Sequence, residues 1–240
     1  MLSNKKMYAV ICIVISIFFV SFYFFNECII KQGFTPCNSG TIIILNGPSS
    51  VGKSSIQKKI QKLFEQPYLR MGLDDLAFLP IRYISVNGPI PPADQGIWLD
   101  TTQKDGHQVV TIHYGVVAQA MMKGIHRTFA SFAAAGNNIV VDYILYDPAW
   151  LADLVHTLKG LTVYFIGVNA PLSVIEEREK QRGNRLFGHA RSHYNTVHKG
   201  LVYDLEIDSS SLTPEESALA IKKFIEECPY PKAFNKNYGL

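Results

Sequence analysis

Eight consecutive residues constrain this chain more than any others: Gly47-Pro-Ser-Ser-Val-Gly52-Lys53-Ser54. They match the phosphate-loop pattern G-x-x-x-x-G-K-[ST]. The flanks suit the pattern. Thr41–Leu45 is β-branched and apolar, which predicts a buried parallel strand. Ser54–Phe64 repeats Ile56, Ile60 and Phe64 on one helical face, which predicts a helix. Glycines in such a turn let successive backbone N–H groups close around phosphate oxygens. The helix N-terminus adds partial positive charge. Gly47, Pro48, Ser49, Ser50, Val51, Gly52, Lys53, Ser54 and Ser55 are therefore the expected nucleotide cradle. Lys53 is expected to reach the β- and γ-phosphates, and the Ser54 hydroxyl to ligate Mg²⁺.

The chain beyond the loop alternates strand and helix signals. Strands are expected at Tyr68–Leu73, Asn138–Val141 with Asp142, Leu161–Val168 and Tyr203–Ile207. Helices are expected at Tyr114–Ala135, Asp147–Leu158, Pro171–Gln181 and Thr213–Glu227. Asp147 precedes Pro148 as an N-cap, and Thr213 with Glu216 can close a capping box. Strands alternating with helices imply a parallel sheet with right-handed crossovers, which binds ligands beyond its carboxyl edge. A hairpin is expected where IWLD is followed by VVTIH.

The 240 residues are 48% hydrophobic and 18% charged, with a formal net charge of +3. A disordered chain would be charge-rich and apolar-poor. The small charge, with no long Lys/Arg run, gives no nucleic-acid partner. The apolar excess concentrates at 7–25, which holds no charged residue and would span about 28 Å as a helix. A single-pass membrane anchor is the expectation. A cleaved export signal is the rival, although the run is long for one and no small-x-small site follows. The chain then divides into this segment at 1–26, a linker at 27–40, an α/β domain at 41–230 and a tail at 231–240. Lys5 and Lys6 before the run, against Lys31 after it, would put the domain outside the cell. ATP chemistry would keep it inside. Outside, Cys37 and Cys228 could pair.

Several polar residues fall where a parallel sheet would use them. Asp74 and Asp75 follow the second strand; one could accept a proton and the other cap a helix. Asp142 ends the run IVVD, where a carboxylate can hold Mg²⁺ or its water, or serve a turn. Arg178, Arg182 and Arg185 could close as a lid and clamp a transferring phosphate. His189 and His193 are four apart, which reads as a solvated helix face rather than a metal site. Ser49 and Ser50 lack the G-x-S-x-G context of a hydrolase.

Taken together, TIIILNGPSSVGKSSI, MGLDDL, NNIVVDYIL, EEREKQRGNR and VHKGLVYDLEIDSS resemble the chloramphenicol phosphotransferase-like family of P-loop small-molecule kinases. The resemblance runs from Thr41 to the last helix. It implies a P-loop NTPase three-layer sandwich with a five-stranded parallel sheet, here preceded by one hydrophobic helix. It also implies ATP and Mg²⁺ as cofactors, and transfer of the γ-phosphate to a small hydroxyl-bearing substrate of the chloramphenicol kind. Asp74 becomes the base, and Arg182 and Arg185 the lid arginines. Residues 78–113 differ much from the family, so the acceptor does not transfer with the fold. The alternatives are a kinase of the shikimate, gluconate or adenylylsulfate type, or a membrane-tethered nucleotide-binding protein without transfer activity.

Overall fold

The computed structural model describes residues 39–183 and 186–237. The apolar run at 7–25, Cys37 and Arg185 lie outside them, and so do the expectations of an anchor and of a Cys37–Cys228 pair. Among the described residues no helix is long and apolar enough to cross a membrane.

The elements follow the alternation in the sequence. They are β1 (Ile42–Asn46), α1 (Lys53–Leu63), β2 (Tyr68–Gly72), α2 (Leu73–Leu76), β3 (Ile84–Ser85), β4 (Ile97–Lys104) and β5 (His107–Tyr114). Then come α3 (Val116–Ala134), β6 (Asn138–Tyr143), α4 (Pro148–Thr157), β7 (Val163–Asn169), α5 (Leu172–Arg182), α6 (His189–His193), β8 (Leu205–Asp208), α7 (Pro214–Glu227) and α8 (Ala233–Lys236). The main sheet runs β2-β6-β1-β7-β8, with every neighbouring pair parallel.

The central strand explains the layers. Successive side chains of β1 point to opposite faces, and Ile42 to Leu45 are all fully buried. Ile42 and Ile44 join a core with Phe129, Leu154 and Phe165, under α3 and α4. Ile43 and Leu45 join a second core with Ile56, Ile60 and Ile221, under α1 and α7. A strand covered on both faces has no use for polar alternation, which is why it reads as an unbroken apolar run. The caps are as expected. Asp147 accepts from the Ala149 N–H at 2.9 Å, and the Thr213–Glu216 capping box is complete.

A second sheet, β3-β4-β5, contains the expected hairpin. Its turn residues Asp105 and Gly106 both have positive φ, 51° and 76°, as a tight two-residue hairpin turn requires.

Within the expected tail, α8 docks on the sheet. Phe234 is 3% exposed and packs edge-on against Phe165. The Asp204 carboxylate latches this helix. One oxygen accepts from the N–H groups of Lys232 and Ala233, and the other accepts from Phe165 N–H in β7. Asp204→Ala should cost about 1.5–3 kcal/mol, the usual weight of hydrogen bonds to a charged group. A fall in the urea midpoint with an unchanged slope is the expected reading.

Candidate active site

The phosphate loop begins at a pinned strand end. Asn46 is fully buried at the end of β1. Its Nδ2 donates to Val197 O at 2.9 Å and to the Tyr203 hydroxyl at 2.7 Å, and its Oδ1 accepts from Leu145 N–H at 3.0 Å. The next residue must be glycine, since a Cβ on Gly47 would lie 2.3 Å from Val168 O. Two residues then turn left-handed, Ser50 at φ 61° and Gly52 at φ 109°. For Ser50 that conformation is strained, and such strain clusters at ligand-binding turns. The Ser50 hydroxyl oxygen is buried with no hydrogen-bond partner among the described residues. An orphaned polar atom inside a strained loop fits a cradle that takes its partner from the ligand.

Lys53 and Ser54 open α1 and meet Asp142 from β6. The pairing Leu45↔Asp142 puts this carboxylate beside the end of β1. Ser54 Oγ donates to Asp142 Oδ2 at 2.6 Å. Lys53 Nζ lies 3.4 Å from Asp142 Oδ1 and donates to Gly47 O and Pro48 O, both at 2.8 Å. The lysine is 4% exposed and folded over its own loop. Ser54 and Asp142 offer only oxygen ligands, which suits a hard divalent cation such as Mg²⁺.

A cleft of about 1100 Å³ runs over this corner along the carboxyl edge of the sheet. Beyond β8 it is lined by Ser209 to Pro214 and by Arg178 and Arg182. Beyond β2 it is lined by Asp74 and Asp75, with Ile112, Tyr114, Met121, Ile144 and Tyr146. Ser49 to Ser55 and Asp142 line it between.

Three expectations change. Arg178 is not free to act as a lid. Its guanidinium donates to Val51 O at 3.2 Å, Ser209 Oγ at 3.1 Å and Ser209 O at 2.7 Å, tying the phosphate loop to the loop after β8. Arg182 is exposed in the cleft wall. Asp75 is not a cap. Gly72 holds that position without a side-chain cap bond, and both aspartates stand in the first turn of α2. His189 and His193 are not on a solvated face. They are 5% and 4% exposed, and both rings pack on Tyr146.

Sequence reasoning missed what holds the site. In VHKGLVYDLEIDSS, the Tyr203 hydroxyl receives Asn46 and lies 2.7 Å from His198 Nδ1. Burial, and then Lys53, push His198 down to about 4, so its ring is neutral at neutral pH and Nδ1 is able to accept from the Tyr203 hydroxyl. Burial holds the Tyr203 phenol well above its ordinary value, so it stays a donor. The adjacent Asp208 caps the turn through Ser210.

The model of the family described as chloramphenicol phosphotransferase-like protein matches residues 40–226. The chain belongs to that family. It is a small-molecule kinase. A Mycobacterium tuberculosis protein provisionally named an O-phosphotransferase is 29% identical over 198 residues, covering 82% of this chain and 87% of its own. A sugar kinase from Janibacter sp. HTCC2649 superposes with a TM-score of 0.54 at 16% identity, over 80% of this chain and 97% of its own. The Mycobacterium tuberculosis APS kinase, in complex with AMPPNP and APS, gives 0.51 at 18% identity, over 78% and 98%. At those identities the structures share the fold, the α/β sandwich of P-loop kinases.

Arg178 and Arg182 are separable by stability. Arg178→Ala should lower stability by about 1–3 kcal/mol, since Ser209 O loses its guanidinium donor and Val51 O is left with Ser209 Oγ alone. Arg182→Ala should stay within about 0.5 kcal/mol, as exposed substitutions do. Parallel urea titrations check both.

Proposed function

We propose that the protein transfers the γ-phosphate of ATP to a hydroxyl of a small, predominantly apolar acceptor. One observation supports this above the others: a single cleft joins the phosphate loop to Asp74 and continues into an aromatic and aliphatic chamber. Tyr114 and Tyr146 form one wall, with centroids 5.6 Å apart. Ile112, Ile144 and Met121 add aliphatic surface. Such walls favour an uncharged, ring-bearing alcohol, in keeping with a chloramphenicol-like compound. Acceptors of the shikimate, gluconate or adenylylsulfate type are anionic and would look to Arg70 from β2, which also lines the cleft, rather than to these walls.

The residues divide the work as follows. Backbone N–H groups of the loop and the N-terminus of α1 hold the phosphates. Lys53 exchanges the Gly47 and Pro48 carbonyls for β- and γ-phosphate oxygens. Ser54 and Asp142 would hold Mg²⁺, which would supply neutralisation of phosphate charge. The acceptor oxygen forms a bond to the γ-phosphorus as the bond to the ADP oxygen breaks, and the hydroxyl proton passes to the Asp74 carboxylate. Arg182 stabilises charge on the transferring group, and Arg185 shares that role. The reading of 7–25 as a membrane anchor is also a proposal; it rests on the length and neutrality of that run, while the side of the domain stays open between the lysine bias and the need for ATP. Protease protection in sealed vesicles tests the side.

Incubation with γ-labelled ATP and a panel of aromatic alcohols and anionic metabolites, with mass spectrometry of products, tests the reaction. Label should move to an aromatic alcohol. Asp74→Asn should lower kcat by about 10²–10⁴-fold with ATP affinity little changed, and Asp75→Asn much less. Lys53→Ala should abolish transfer without unfolding. Full activity in Asp74→Asn would remove the base from the mechanism.

A further inference from the structure

The phosphate loop has a support outside its own motif. Ser49 N–H donates to His193 Nε2 at 3.0 Å, with both residues buried, 2% and 4% exposed. The peptide group carrying that N–H is Pro48–Ser49, and its carbonyl is Pro48 O. That oxygen accepts from Lys53 Nζ at 2.8 Å. A peptide unit is planar, with N–H and C=O pointing in opposite directions. Fixing the N–H therefore fixes the carbonyl that seats the lysine.

The imidazole is prepared for this contact. Ser192 Oγ donates its hydrogen to His189 O at 2.7 Å, so towards His193 Nδ1, at 3.2 Å, it can only accept. The proton then belongs on Nδ1, which leaves the Nε2 lone pair for Ser49 N–H. The helix bearing these residues is itself held. The Glu179 carboxylate, 1% exposed, accepts from Gly188 N–H at 2.8 Å and Ala190 N–H at 2.9 Å. Tyr146, from the acceptor wall, lies edge-on to the His193 ring at 4.9 Å and restrains its plane.

We propose that His193 is a positioning residue for the phosphate loop, setting the Pro48–Ser49 peptide and through it Lys53, by means of a tautomer that Ser192 selects. The proposal rests on the nucleotide-binding reading above and deepens it. It does not depend on the identity of the acceptor.

The test is a binding cycle by calorimetry on the full chain, with AMPPNP and Mg²⁺ as probe. His193→Phe, which keeps a ring but loses the acceptor, should weaken AMPPNP by about 3–10-fold, the weight of one hydrogen bond. His193→Gln should bind like the wild type, because its amide oxygen accepts the same N–H. Ser192→Ala should weaken binding in the wild-type background and have no effect in His193→Gln, where no tautomer needs selecting. A packing role alone would not produce that dependence on background, and the cycle decides the matter even if His193→Phe folds poorly. Equal affinity of His193→Phe and wild type would overturn the proposal. So would an equal Ser192→Ala effect in both backgrounds. Absence of AMPPNP binding to the wild-type chain would overturn the kinase reading, and this proposal with it.

Discussion

Asn46 ends β1 with side-chain hydrogen bonds to three residues in two distant segments, and the phosphate loop starts at the next residue. A loop that binds anions through its amides works only if those amides converge before the ligand arrives. The entropy of ordering them is otherwise charged to binding. Here the order comes from the strand below, which four fully buried apolar residues hold between two cores. A partner on each side of the loop completes it. Arg178 grips Val51 O from α5, and His193 holds Ser49 N–H from α6.

The two helices are themselves joined. Glu179 lies one residue after Arg178 on α5, and its carboxylate receives the first N–H groups of α6. Arg178 therefore faces the phosphate loop while its neighbour holds the helix that reaches the loop's other side. Replacing either removes more than a surface charge, because buried donors or acceptors lose their partners.

The second sheet is tied to the same region. Val110 N–H in β5 donates to Gly188 O at 3.0 Å, and Gln108 Nε2 donates to Phe187 O at 2.8 Å. The segment before α6 is thus braced by the hairpin that carries Ile112 and Tyr114 into the cleft. The cleft wall they form and the phosphate loop share supports.

Much of this protein can be read directly from its residues. The strand-loop-helix around Gly47–Ser54, the five parallel strands, the Asp147 and Thr213 caps and the hairpin all depend on local chemistry: β-branching, helical spacing, cap residues and turn glycines. The same chemistry put Asp74, Asp142 and Arg182 at strand and helix ends, where a parallel sheet gathers ligand contacts. What stayed hidden depends on distant partners. Arg178 looked like Arg182 until Val51 and Ser209 were found against it. His189 and His193 looked solvated because a five-residue helix has too few turns to show which face it buries. The seat of Phe234 was not legible because it meets Phe165 only once the sheet exists. Periodicity reports the faces of an element, whereas hydrogen bonds between residues more than a hundred positions apart, such as Ser49 and His193, are decided only by how the elements pack.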